Sequence, residues 1–275
     1  MSTSKIEVLV DFKDDQKTVD ETLSSLRKQS EIKDAQFKNG SIFVETTLPS
    51  SQVLDIVTKT SGKRAVLQGF GETYSAVAMV SSQSCCKTNV MGVIRFQQSD
   101  TDPLVADGTL DGLTPGPHAL HIHETGDISQ GCLSLGPHFN PRGASHGAPG
   151  DPPEHRHAGD LGNIVAGEDG RATFRIVDHV LKVSDIVGRS VGVTEKQDDF
   201  GRGSSPTSKI DGDSGSIIAC GVIARSAGIF QNPKRYCACD GVVVWDEKDR
   251  PLAGKGRRDK CCESGDKNRK PCCKV

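Results

Sequence analysis

The sequence predicts a mainly β protein: an antiparallel β sandwich or barrel, preceded by a small α+β unit and followed by a flexible, cysteine-rich tail. Three observations carry that expectation. Only 35% of the 275 residues are hydrophobic and 4% aromatic, while glycine occurs 30 times, a balance that suits turn-rich β structure better than large helical domains. Apolar residues alternate over short segments through most of the chain, as half-buried strands require. The reactive residues are segregated as well. Residues 1–84 hold neither Cys nor His, all eight histidines fall between His118 and His179, and six of the ten cysteines lie at or beyond Cys237. The expected division is 1–72, 73–230 and 231–275.

The front segment reads element by element. KIEVLVDF (5–12) alternates apolar and polar residues as a half-buried strand does. VDETLSSLRKQ (19–29) sets Val19, Leu23 and Leu26 on one helical face. AQFK and SIFVETTL (41–48) flank Asn39-Gly40, a strong hairpin signal. SSQVLDIVTKTSG (50–62) opens on serines suited to a cap and stops at Gly62. KRAVLQGFG (63–71) supplies a last strand. The order βαββαβ is the ferredoxin-like split βαβ plan.

The middle segment is a succession of short strands: SAVAMVSS, VMGVIRFQQ, VADGTLDGL, HALHIHE, RATFRIVDH, GRSVGVTEK and IIACGVIAR. Two loops, about 124–160 and 196–216, exceed ordinary connector length and are expected to be functional. Beyond Gln231 the chain turns hydrophilic and basic, with too little apolar content for a core apart from GVVVWDE (241–247). The formal net charge is −2, so composition gives no reason to expect nucleic acid or a membrane as partner. The start of the chain has no uninterrupted apolar stretch of the kind a secretory signal needs, and a cytoplasmic location is expected. Ten cysteines there point to metal or redox work.

In HALHIHE, His121 and His123 lie two residues apart, so a strand projects both imidazoles from one face and turns Leu120 and Ile122 to the other. His118 has the opposite parity and reads as a buried histidine that ties down a loop. His138, His146, His155, His157 and Asp160 follow within 40 residues of that strand. Imidazole and carboxylate suit Zn²⁺ and Cu²⁺, and a loop this poor in apolar residues needs something like a metal ion to order it.

At these residues a resemblance becomes specific. HIHETGDISQGCLSLGPHFNPRGASHGAPG (121–150), HAGDLGN (157–163) and SIIACGVI (216–223) resemble the Cu/Zn superoxide dismutase family, whose fold is a Greek-key β-barrel. The resemblance implies zinc ligands at His138, His146, His157 and Asp160. His157 is preferred to His155 because it precedes AGDLGN, and PPEH (152–155) is the expected insertion. It also implies a disulfide between Cys132 and Cys220, and a carboxylate, Asp198, that links the two metal sites. On the copper side it supplies His121, His123 and His138, but Thr194 stands where the family has its fourth histidine, and Ile217 where it has an arginine that draws in superoxide. Dismutase activity is therefore not expected.

A chain that keeps this barrel, loses that chemistry and adds both a front unit and a C-x-C tail resembles the copper chaperones for superoxide dismutase. GVIARSAGIFQNPKRYCACDGVVVWDEKDRPLAGKGR (221–257) and AVLQGFG (65–71) are similar to that family's corresponding segments. The resemblance implies delivery of Cu(I) to an immature dismutase subunit through Cys237 and Cys239, and formation of the target's internal disulfide. Soft Cu(I) prefers thiolates, and a two-thiolate clamp leaves it open to an incoming ligand. The implied partner is a dismutase subunit, docked as a heterodimer around Gly221–Gly228, with self-association as the second assembly. Where many of these chaperones carry M-x-C-x-x-C, the front unit reads DFKDDQKTVDE (11–21), so copper capture falls to the tail. Cys261, Cys262, Cys272 and Cys273 read either as a further Cu(I) or Zn²⁺ cluster or as unselected surface thiols; Cys85 and Cys86 read as incidental. The alternatives to a metallochaperone are a metal-storage protein and a weakly active dismutase.

Overall fold

The structure, a computed structural model, describes residues 3–13, 15–72, 74–82, 89–229 and 231. Cys85, Cys86 and every cysteine from Cys237 onward, and with them the expected flexible tail, lie outside the described residues.

The first six elements follow the expected βαββαβ order: β1 (Ser4–Val10), α1 (Gln16–Arg27), β2 (Ile32–Lys38), β3 (Ser41–Thr46), α2 (Ser50–Ser61) and β4 (Ala65–Phe70). The strands form one antiparallel sheet in the order β2-β3-β1-β4. Asn39 and Gly40 both take positive φ (54° and 81°), as the two-residue turn between β2 and β3 demands. Val19, Leu23 and Leu26 of α1 and Val53 and Val57 of α2 meet Ile6, Val8, Val10, Ile42 and Val44 in a core of their own. Asp15 caps α1 by accepting from Thr18 N–H at 3.1 Å, and Gly62 ends α2 in the left-handed conformation.

One expectation fails here. The serines at the start of α2 do not cap it: the N-cap is Pro49, which offers no side-chain acceptor. Ser50 N–H instead donates to Asp107 Oδ2 at 2.7 Å, and the Ser50 hydroxyl donates to Asp107 Oδ1. The carboxylate that satisfies this helix end comes from the barrel, 57 residues downstream.

The barrel contains β5 (Tyr74–Ser81), β6 (Met91–Gln98), β7 (Leu104–Asp111), β8 (Gly116–His123), β9 (Ser129–Cys132), β10 (Asp160–Ala166), β11 (Ala172–Asp178), β12 (Ser190–Thr194) and β13 (Ile217–Arg225), with short helices α3 (Val183–Ile186) and α4 (Ser208–Asp211). Eight strands pair antiparallel in the order β10-β8-β12-β13-β5-β6-β7-β11. Placing β8 beside β12 and β13 beside β5 interleaves strands distant in sequence, the Greek-key arrangement, and β10 and β11 approach each other across the remaining gap. Leu120 and Ile122 join Ile94, Phe96, Leu104 and Val193 in the barrel interior. The sequence pattern missed β9 and β10. Asp160, Gly162 and Asn163 break the apolar alternation in β10, because the strand's outward face serves the site described next.

Candidate metal centre

β8 supplies the first two imidazoles. With Leu120 and Ile122 committed to the interior, His121 and His123 project to the outer face, yet both are buried because the loop between β9 and β10 folds over them. His138 lies in that loop and is fastened by an isolated bridge to His123, stacking its ring on His121 at 3.8 Å. Asp160 opens β10 directly opposite His121 in the ladder.

Asp160 organises the cluster. Its Oδ1 lies 3.0 Å from His138 Nδ1, 3.1 Å from His146 Nδ1 and 3.3 Å from His157 Nδ1. Its Oδ2 is occupied by backbone N–H groups of Gly147 (3.2 Å) and His157 (2.8 Å), so the carboxylate cannot rotate away. His157 is buried at this point, whereas His155 is exposed. The ligand-capable atoms of His121, His138, His146 and Asp160 also fall within 4.8 Å of one another. His121 and His157 thus compete for the fourth place. His121 spends Nε2 on Asp198 Oδ2 (3.0 Å), while His157 aims Nδ1 at the Asp160 oxygen shared by its neighbours.

Asp198 joins two imidazoles, since its Oδ1 meets His146 Nε2 at 2.7 Å while Oδ2 holds His121. Asn163 of β10 clamps its backbone in both directions, and Gly212 makes room for it. A Cβ at Gly212 would stand 2.1 Å from Asp198 Oδ1 and 2.6 Å from His146 Nε2.

On the other side of His138, His123 donates from Nδ1 to Gly136 O (2.9 Å), which leaves its buried Nε2 without a partner; His121 Nδ1 is likewise without one. Such orphaned lone pairs are costly unless an ion completes them. Thr194 and Ile217 face each other across the β12–β13 ladder. Thr194 turns its hydroxyl to Lys196 O (3.0 Å). A Cβ built at Gly192 would meet His123 Nε2 at 2.5 Å and Ile217 Cγ2 at 3.4 Å, so the Ile217 side chain lies against the glycine that seats His123. His118 does what its parity suggested, placing Nδ1 2.8 Å from Thr194 O and Nε2 2.9 Å from Thr114 O.

Burial and neighbouring imidazole push His123 and His138 down to about 4, so both are neutral at pH 7 with lone pairs available. His146 goes the other way: burial opposes its charge, but Asp160 and Asp198 outweigh that and raise it to about 9. Asp198 is lowered to about 2, its bonds to His121 and His146 overcoming desolvation. A metal ion taking His146 must therefore displace a proton. Binding at pH 7 is expected to release about one proton per ion, and affinity to rise about tenfold per pH unit until about pH 9, where His146 is neutral without help. Calorimetry in two buffers of different ionisation enthalpy gives the count.

Residues 90–223 match the family described as copper/zinc superoxide dismutase (SODC). The chain is 50% identical over 231 residues to the copper chaperone for superoxide dismutase of Rattus norvegicus, the match covering 82% of each chain. It is 47% identical over 251 residues to the Homo sapiens protein of the same name, covering 89% of each. The chain belongs to the copper chaperones for superoxide dismutase. Among solved structures, a crystal structure of the clock protein EA4 is 39% identical, spans 55% of this chain and 94% of its own, and superposes with a TM-score of 0.50.

This member of the chaperone family holds its long loop with two devices. Cys132 of β9 and Cys220 of β13 form a buried disulfide beside Leu135 and Ile217, closing a sequence separation of 88 residues. Arg156, which sequence reasoning passed over, is fully buried and pairs with Asp178 of β11 at 2.8 Å. It also donates to the carbonyls of Pro149 (2.7 Å), His157 (3.0 Å), Ala158 (3.1 Å) and Asp160 (2.7 Å). Nothing in EHRHAGD distinguishes this arginine from a solvated one, because its five partners are carbonyls and one distant carboxylate. No helix among the described residues is long and apolar enough to cross a membrane.

Proposed function

We propose that this chain is a metallochaperone and not an enzyme: it carries Cu(I) on Cys237 and Cys239 and passes it to an immature Cu/Zn superoxide dismutase subunit. The names of its relatives supply the task. The observation that carries it for this chain is the pairing of Thr194 with Ile217 beside His123, where dismutation would call on an imidazole and a guanidinium. Cytosolic copper is monovalent and soft, and two thiolates one residue apart hold it at low coordination while leaving it open to an acceptor's ligands. The same pair, as a disulfide, serves the target's oxidation. A target thiolate attacks it to give a mixed disulfide and one free tail thiolate; the target's second thiolate then closes the target disulfide and releases the tail as the dithiol. Two electrons pass from target to tail.

In the barrel, His138, His146, His157 and Asp160 would hold Zn²⁺, to which three imidazole nitrogens and one carboxylate oxygen are suited. Bound zinc would tie the long loop to β10. His121, His123 and His138 remain as a residual copper-type set lacking a fourth histidine. The partner is a dismutase subunit held as a heterodimer, with self-association as the second assembly, and the compartment is the cytoplasm, where Cu(I) and free thiols coexist. Cys261, Cys262, Cys272 and Cys273 would add thiolates at the tail.

Reconstitution tests the reading. The Cu(I)-loaded protein is mixed with zinc-bound, copper-free, disulfide-reduced superoxide dismutase in the presence of a Cu(I) chelator, and dismutase activity is followed. Activity is expected with the intact chain and none above background with Cys237→Ser/Cys239→Ser. Activity in the chaperone alone would make it an enzyme. Copper retention with no activity in any mixture would make it a storage protein.

A further inference from the structure

The residues after β13 do not leave the molecule at the end of the barrel. They turn back onto the N-terminal α+β unit. Ser226 N–H still pairs with the barrel, donating to Ser75 O of β5 at 3.0 Å, and the turn onto the N-terminal unit follows it, with Ile229 N–H donating to Gly71 O at 2.8 Å. Gln231 completes the contact, its side-chain amide donating to Glu72 O (3.4 Å) while its Oε1 accepts from Gly228 N–H (3.0 Å). Ile229 is only 9% exposed.

The two backbones touch where neither carries a side chain. A Cβ at Gly69 of β4 would stand 2.7 Å from both Gly228 O and Ile229 Cα, and one at Gly228 would stand 2.6 Å from Gly71 O. Glycine faces glycine because no other residue allows this approach. The gripping unit is itself fixed. Gly71 N–H donates to Lys5 O (2.9 Å), Arg175 of β11 donates to Ser4 Oγ (2.9 Å), and Gln97 of β6 donates to Thr3 O (3.2 Å), besides the Asp107 cap on α2. One end of the docking region expected around Gly221–Gly228 is accordingly covered from within the chain.

We infer that the N-terminal unit, which carries no Cys and no His, is an anchor for the C-terminal segment. It grips Gly228, Ile229 and Gln231 and fixes the point from which the chain runs on to the C-x-C pair. Cys237 follows Gln231 by six residues, and Ser226, the last residue held by the barrel alone, by eleven. Each residue spans at most about 3.6 Å, so releasing the grip lengthens the greatest reach from the last held residue to Cys237 nearly twofold and enlarges the volume within that reach about sixfold. The anchor thus raises the local concentration of the thiol pair at a target docked on the barrel. This consequence rests on the chaperone reading above; the grip itself does not.

Gly69→Val, in the full-length protein, drives a side chain into Gly228 without touching any metal-site residue. Ile229→Ala loosens the same contact with no collision and covers the case in which the valine variant misfolds. Amide hydrogen exchange is read at Ile229, with Ser226 and the β8 and β12 amides as controls, and the rate of dismutase activation is read alongside Cu(I) stoichiometry. Exchange at Ile229 is expected to rise at least about tenfold in both variants while the controls hold. Activation should slow about two- to sixfold with copper stoichiometry unchanged. Wild-type Ile229 exchanging as fast as an unprotected peptide would overturn the grip. Released amides with an unchanged activation rate would overturn its role. If the wild-type protein activates no dismutase, the chaperone reading fails and the anchor is judged on exchange alone.

Discussion

Replacing Arg156 with methionine is expected to destabilise the barrel by about 3–5 kcal/mol, the cost of removing one partner from a buried ion pair. Methionine fills much of the same volume, so the loss is electrostatic and not a matter of packing. It strands the Asp178 carboxylate, which keeps only the backbone N–H groups of Val180 and Leu181 on its other oxygen. It also frees four loop carbonyls that now converge on one guanidinium. Two of these belong to His157 and Asp160, so the metal centre should loosen with the fold. Denaturant titration of the metal-free protein gives the stability term, and the rate of metal loss to a chelator gives the second. Arg156→Lys keeps the charge but lacks the planar fork, and should recover only part of either. A methionine variant with an unchanged midpoint would mean that the arginine is not what ties the loop to β11.

Asp160→Asn should weaken metal binding more than any other single change in the cage. Aspartate presents one anionic oxygen to three imidazoles and uses the other to accept two backbone N–H groups. Asparagine can do one of these. Turned one way its NH₂ opposes the backbone donors, and turned the other way it opposes the histidines. Affinity is expected to fall by more than about 100-fold, whereas Asp198→Asn, which acts only through His121 and His146, should cost about 10- to 100-fold. Competition against a chromophoric chelator ranks the two. If Asp198→Asn proves the more damaging, the carboxylate holding the metal has been misassigned.

Much of this arrangement is legible in the sequence because its signals are local. The H-x-H of β8, the Asn39-Gly40 turn and the Gly62 stop each follow from backbone geometry over a few residues. The crowding of His138, His146, His155, His157 and Asp160 suffices to name a cluster and the resemblance selects His157 over His155, though the common focus on one carboxylate oxygen emerges only from the fold. What stays hidden depends on partners far along the chain. Arg156 looks like any loop arginine until β11 is placed beside it. Gly69 looks like a weak point in β4 until the exit segment is found lying on it. Serines 50 and 51 satisfy every local rule for a helix cap, and the rule is overridden by Asp107.

That last contact bears on how the molecule comes into being. A chain is made from its N-terminus, so β1 to β4 emerge first with a complete apolar core of their own. Yet the group that finishes α2 is 57 residues away on β7, several seconds of translation later at about 5–20 residues per second. Until then Gln52 and Val53 N–H can use the Pro49 carbonyl, but the Ser50 N–H and hydroxyl have yet to meet the carboxylate they use in the folded protein. The first unit off the ribosome is therefore not the first to reach its final form: it waits for the barrel to hand it a carboxylate.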